Sequence, residues 1–203
     1  MSLRTLVGVI MVAFLFSGNA IAALTFTGTP TNSWAYFIKP EPSVGENDQY
    51  FVTSQSAYAG ATFQGYVSDA PWGLGQPRAA DLIFSTFVTS ATTQQIPLIL
   101  DGDDGHSLFV NNAFVGGGPF GADVLHTLNL TAGVPVRLDM AGFNGPGGWV
   151  FVLQTVAGGQ SLSQVPGVTI NATGITIPEP QLGFILLLAA HSWRRSSRVR
   201  LHR

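Results

Sequence analysis

The sequence predicts an all-β fold, an antiparallel β-sandwich or jelly roll, flanked by an N-terminal signal helix and a C-terminal apolar helix. Three observations predict it. β-branched and aromatic residues cluster in short runs, 24 glycines and 12 prolines fall largely between those runs, and no stretch of the body keeps a 3.6-residue apolar period for long. Short runs of that composition, punctuated by turn residues and lacking intervening helices, favour strands stacked in two layers over a parallel sheet.

At the N-terminus, Arg4 precedes an apolar run of 11 residues, 6–16, and Gly18-Asn-Ala-Ile-Ala22 places small residues at Ala20 and Ala22. Positive charge, a short apolar run and a small-x-small site are the layout of a secretory signal peptide, so residues 1–22 are expected to be removed after Ala22 or Ala23.

The expected domain spans residues 24–157, enough chain to bury a core. From Leu24 to Glu179 three basic residues (Lys39, Arg78, Arg137) stand against 11 acidic ones, a balance of about −8 that the whole-chain value of −2 conceals. No basic stripe is present to neutralise phosphates, which disfavours nucleic acid as a partner. Cysteine is absent, which excludes thiol catalysis and thiolate metal sites.

Strands are expected at residues 50–53, 62–67, 81–88, 96–100, 107–110, 124–130, 134–140 and 149–155. Asp101-Gly-Asp-Asp-Gly105, Val115-Gly-Gly-Gly-Pro119, Thr131-Ala-Gly133 and Asn144-Gly-Pro-Gly-Gly148 supply turn chemistry between them. Within 134–140, Val134, Val136, Leu138 and Met140 alternate with Pro135, Arg137 and Asp139, which predicts one face in the core and one in water. Residues 158–177, poor in large side chains, are expected to hold at most a last edge strand and otherwise to form a linker.

One internal segment carries chemistry. Residues 99–112 run from an apolar strand through Asp101, Asp103 and Asp104 into Gly105, then into a second strand ending at Asn111-Asn112. Three carboxylates so close repel one another unless they are solvated or hold a cation. Hard oxygen donors on a short loop suit Ca²⁺. The spacing is not that of an EF-hand, because Asn112 stands at the twelfth position and the flanks are strands. Asp-Asp-Gly equally suits a solvated turn, in which Asp bonds to backbone N–H groups and Gly tolerates positive φ.

Asp103-Asp104-Gly105, Leu108-Phe-Val-Asn111, Leu130-Thr-Ala-Gly133, Leu138 and Asn144 to Gly148, followed by the apolar run 149–153, resemble the protective-antigen-type β-sandwich over roughly residues 80–155. Galactose-binding-like jelly rolls share much of the pattern. The resemblance implies a Ca²⁺ held by Asp103 and Asp104, with Asn144 or Asp101 as a further ligand, and sugar hydroxyls bound to the ion. Trp72, in a loop, is the candidate stacking platform for a sugar ring and Asn111 a further glycan contact. Trp34 and Trp149 are the other aromatic candidates, with Trp149 expected in the core.

His106 and His126 are expected to be bystanders, His106 as an exposed loop residue beside the aspartates. No nucleophile elbow, HExxH, P-loop or dinucleotide fingerprint is present, and no two carboxylates stand out as a glycosidase pair.

The C-terminal residues 178–203 combine Pro178-Glu179-Pro180, a nine-residue apolar run at 182–190 and five arginines between Arg194 and Arg203. Arginines after an apolar run hold a tail on the cytoplasmic side. The layout resembles the PEP-CTERM sorting signal of bacterial envelope proteins, with Arg194 and Arg195 opening the basic cluster. The resemblance implies an exosortase-type processing enzyme as partner and membrane contact through this segment before processing. The apolar run is shorter than the ~20 residues of a full span.

Together these readings predict an exported, non-catalytic protein of the bacterial envelope or extracellular matrix. Ca²⁺-dependent binding of extracellular polysaccharide is the leading expectation, a structural matrix role without a small ligand the alternative, and a hydrolase the last.

Overall fold

The computed structural model describes residues 24, 26–40, 51–69, 72–73, 80–102, 104–144 and 150–177. Among them are eleven strands in two antiparallel sheets. In chain order they are β1 (Trp34–Pro40), β2 (Thr62–Val67), β3 (Trp72–Gly73), β4 (Ala80–Ser90), β5 (Gln94–Gly102), β6 (His106–Val110), β7 (Ala113–Gly118), β8 (Val124–Leu130), β9 (Val136–Asn144), β10 (Val150–Thr155) and β11 (Val168–Asn171). The larger sheet runs β2-β1-β4-β9-β6-β7, with β11 also paired to β4; the smaller runs β3-β10-β5-β8. The all-β sandwich is as expected; the helices expected at the two ends of the chain lie outside the described residues.

The two sheets close on one core. Tyr36 of β1 stacks on Phe84 of β4 with ring centroids 5.0 Å apart, and Phe84 meets Phe151 of β10 in the facing sheet at 5.6 Å. Leu98, Leu100, Leu128 and Leu153 complete the inward face of the smaller sheet. Aromatic pairs at these separations add to the burial of their large surfaces.

The larger sheet is covered on its other face as well. Phe37, Ile83, Phe109 and Ala141 pack beneath Val52 and Tyr58 of the segment 51–61, and beneath Ala172, Ile175 and Ile177 at the far end of the described chain. Ser107 Oγ donates to the Val52 carbonyl, Lys39 Nζ donates to the Ala57 carbonyl, and Tyr58 meets Phe109 edge-on at 5.4 Å. β4 is buried along nearly its whole length for this reason.

Four expectations are corrected. Residues 51–53 are not a strand but part of the covering segment, where Val52 is buried. Asp139 does not face water: it lies under the covering segment, bonded to Arg137 and Gln55. Val115 to Gly118 belong to β7, which pairs with β6; there Gly117 and Gly118 sit where a Cβ would be 2.8 Å from the His106 carbonyl and 2.6 Å from Ala122 Cβ. A strand squeezed by its neighbours uses glycine for close approach, not only for turning.

The fourth concerns residues 158–177, expected to hold at most a last edge strand and otherwise to form a linker: the edge strand is present as β11, and the correction concerns the rest. These residues hold a 3-10 turn at Leu162–Gln164 and the strand β11, whose Val168 and Ile170 reach the main core. Ala172 N then donates to the Pro30 carbonyl at 2.9 Å. The glycines of this stretch serve its turns, with positive φ at Gly158, Gly159, Gly167 and Gly174, and the chain stays on the domain through Ile177.

Candidate functional site

Several strand ends gather at one end of the sandwich. β5 ends at Gly102 opposite Phe151, β6 begins at His106 opposite Gly142, β4 begins at Ala80 opposite Asn144, and β3 meets Phe151 at Trp72. The β6–β9 ladder continues one step beyond its last strand pair, because Phe143 N donates to the Gly105 carbonyl at 2.7 Å. Asp104 and Asn144 therefore stand on adjoining strand ends. Each is only 3% exposed.

Alternation along the strands explains which groups turn inward. His106 shares the face of Leu108, which points into the main core, and His106 is fully buried. The expectation of an exposed loop histidine is corrected: β6 begins at this residue, and its register seats the ring between the sheets. The His106 Nδ1 lies 3.0 Å from the Asp104 backbone carbonyl. Gly102 faces the same ring, and a Cβ there would be 2.6 Å from Nδ1 and 3.0 Å from the Asp104 carbonyl oxygen.

The remaining candidates are distributed as follows. Asp101 is half-buried on β5, on the opposite face from the buried Leu100. Asn111 lies at the other end of the sandwich, in the β6–β7 turn. Asn111 and Asn112 have φ of 48° and 68°, and the Asn111 carboxamide oxygen accepts from Arg137 N at 2.9 Å. Two consecutive positive φ values make the two-residue hairpin turn that matches strand twist, and Asn tolerates it. Asn111 is thus seven residues from Asp104, with Gly105 and the five residues of β6 between them, about 23 Å of extended chain. The backbone of Trp72 is at the Asp104 end. Asp103, Trp149, the signal peptide 1–22 and the sorting residues Pro178, Glu179, Pro180, Arg194 and Arg195 lie outside the described residues.

Sequence reasoning missed His106 and Gly102 as parts of this end, and also Asp81, which is buried opposite Phe143 and Lys39. The signal for Asp81 was legible: a carboxylate in a continuous apolar run that ends in a buried strand. The signal for His106 was not, because the ring's place depends on β9 and β7 pairing on either side of β6 and on Gly102 of β5 in the facing sheet.

Asp104 and Asn144 fit a hard cation: both bear oxygen donors, both are withdrawn from water, and they come from a loop and a strand end held in fixed register. No group of three or more His, Asp and Glu side chains gathers among the described residues. The end of the sandwich that carries Asp104 is also the end remote from where the described chain stops. Thr176 accepts from Arg137 Nη2 at 3.3 Å, and Arg137 is seven residues from Asn144 along β9, about 23 Å.

No protein-family model matches the chain, and no curated protein matches it. The chain is similar to several solved structures, at low identity. A PA14 sugar-binding domain from an RTX adhesin is 13% identical, with 64% of this chain and 92% of that one covered and a TM-score of 0.43. The A domain of epithelial adhesin 6 from Candida glabrata, solved in complex with Galβ1-3GlcNAc, is 10% identical, covering 68% and 88% at 0.44. An anti-sigma factor domain-containing protein from Clostridium clariflavum is 14% identical, covering 71% and 47% at 0.44. The chain spans less than half the length of the anti-sigma factor domain-containing proteins that it matches.

Proposed function

We propose that this chain is an exported, non-catalytic binding protein of the bacterial envelope or extracellular matrix, and that its sandwich binds glycan at the Asp104–Asn144 end with the help of Ca²⁺. The observation that carries the reading is the pairing of a buried carboxylate with a buried carboxamide on adjoining strand ends, Asp104 after β5 and Asn144 at the end of β9. Oxygen donors held in register are what a Ca²⁺ site needs. A bound ion there would present open coordination positions to vicinal sugar hydroxyls. Asp103 and Trp72 are the neighbouring candidates, for the ion and for stacking on a ring.

The signal peptide and the Pro178-Glu179-Pro180 tail support export followed by handling at the membrane by an exosortase-type enzyme. The geometry is compatible with display. A domain held through its tail would carry Asp104 at the end away from Arg137 and Thr176, where the chain leaves β9's far end.

The test is a thermal melt of the purified protein in Ca²⁺ and in EDTA. Ligand at about 100 times its Kd stabilises the native state by about 2.7 kcal/mol, which for a domain of this size is a rise of several degrees. That rise should vanish in Asp104→Ala and in Asn144→Ala. No shift at millimolar Ca²⁺ would refute the ion-dependent site. A structural matrix role is the second reading, favoured by the open outer face of the smaller sheet, where Leu125 is 69% exposed opposite Ile99. It expects self-association of the purified protein, without need for Ca²⁺.

A further inference from the structure

We infer that His106 is a positioning residue: its imidazole, wedged against Gly102, holds the Asp104 backbone so that Asp104 stays beside Asn144. The inference rests on the Asp104–Asn144 site proposed above but concerns a residue that the site's own chemistry does not require as a ligand.

A backbone carbonyl can only accept, so the contact at 3.0 Å has the His106 Nδ1–H donating to the Asp104 carbonyl. The other ring nitrogen, Nε2, is buried and finds no hydrogen-bond partner among the described residues. Leaving such an atom unsatisfied costs about 1–3 kcal/mol. A leucine at this inward position would fill the space without that cost. What histidine offers and leucine lacks is the Nδ1 contact, two residues back along its own chain, to the loop that carries Asp104.

Gly102 completes the device. Its missing Cβ leaves the room that the ring and the Asp104 carbonyl occupy. Gly102 ends β5 in the smaller sheet and His106 begins β6 in the larger one. The ring therefore sits where the chain crosses between sheets, and it determines the path of the crossing. Groups that orient a ligand from behind are worth about 10–100-fold in metal affinity.

Two variants separate positioning from mere core filling. His106→Leu keeps the volume and loses the donor. His106→Asn places a side-chain N–H near the position of Nδ1. Hydrogen–deuterium exchange of the amides of residues 101–106 is measured in the full-length protein without metal, and Ca²⁺ affinity is measured in parallel. His106→Leu should exchange at least tenfold faster in that loop, with β8 unchanged, and His106→Asn should recover most of the protection. Ca²⁺ affinity should fall about 10–100-fold in His106→Leu and return in His106→Asn.

Equal loop protection in wild type and His106→Leu, or an Asn variant no better than Leu, would overturn the inference. Should His106→Leu not fold, Gly102→Ala serves instead: it pushes the ring off the carbonyl with histidine still present, and it should loosen the same amides. Unchanged amides in Gly102→Ala would overturn the inference equally. If wild type binds no Ca²⁺ while the exchange pattern is as expected, the ion-binding reading fails and the positioning role of His106 stands.

Discussion

Arg137 and Asp139 stand two residues apart on the same face of β9, and the guanidinium grips the carboxylate through Nε and Nη2 at 2.9–3.0 Å. Asp139 is fully buried, whereas Arg137 keeps 18% exposure. Gln55 Nε2 donates to the same carboxylate at 2.6 Å, and Arg137 Nη2 reaches the Thr176 carbonyl. One ion pair thereby ties together β9, the covering segment 51–61 and the last described residues of the chain.

Arg137→Leu should be strongly destabilising, by about 3–5 kcal/mol, because it leaves the Asp139 carboxylate buried without its cation. Gln55→Ala removes one charge-assisted hydrogen bond and should cost about 1.5–3 kcal/mol. Urea denaturation of both variants checks the order. Equal, negligible losses would mean that the outer face is not held by this pair.

β11 should behave as a core strand. Ile170→Ala should cost about 2–5 kcal/mol, the range for truncating a buried aliphatic side chain. Thr169→Ala, on the exposed side of the same strand, should stay within about 0.5 kcal/mol. A chain stopped at residue 157 should fail to give a cooperative melt, whereas one stopped at residue 177 should melt like the full protein.

Two glycines, Gly117 of β7 and Gly121 of the turn after it, make a further contrast. In Gly117→Ala the new Cβ would lie 2.8 Å from the His106 carbonyl and 3.0 Å from Phe51, a clash with backbone that should cost about 1–3 kcal/mol. Gly121→Ala meets nothing within 4 Å but sits at φ of 73°, so its cost should be the left-handed strain of about 1–2 kcal/mol. Crowding should also shift the exchange of β6 amides, which strain at Gly121 should leave alone.

His126 predicts the sign of one pH dependence. Burial of the imidazole on β8 lowers its pKa below the ordinary 6.5. Between that lowered value and about 6.5 the unfolded chain binds more protons than the native one, so stability rises with pH across this window. The contribution is complete above about pH 6.5 and is lost as pH falls towards the native value. Urea midpoints from about pH 5 to about pH 8 should therefore slope less in His126→Gln than in wild type. Identical slopes would remove His126 as the cause.

Much of the sandwich was legible from local signals. β2 and β8 occupy the residues that composition and turn chemistry bounded, β4, β5 and β6 extend the predicted cores by a residue or a few, and the described β10 lies within its predicted range. β1 was not predicted, because Trp-Ala-Tyr-Phe-Ile is apolar without alternation, the pattern of a strand covered on both faces. The same double cover hid Asp139, whose alternation with Leu138 and Met140 is the ordinary mark of a solvent face.

By itself, the sequence determined the all-β class, most strand positions, the acidic body and the loop where Asp104 stands. Those follow from alternation, β-branched runs and turn residues, which act over a few positions. Tertiary structure alone decided that segment 51–61 and residues 172–177 roof the larger sheet. It also decided that Asn144 arrives beside Asp104 while Asn111 is carried to the far end, and that His106 is an interior residue. Each depends on register between strands distant in the chain, and register is settled by the packing of whole faces, not by any residue's neighbours in sequence.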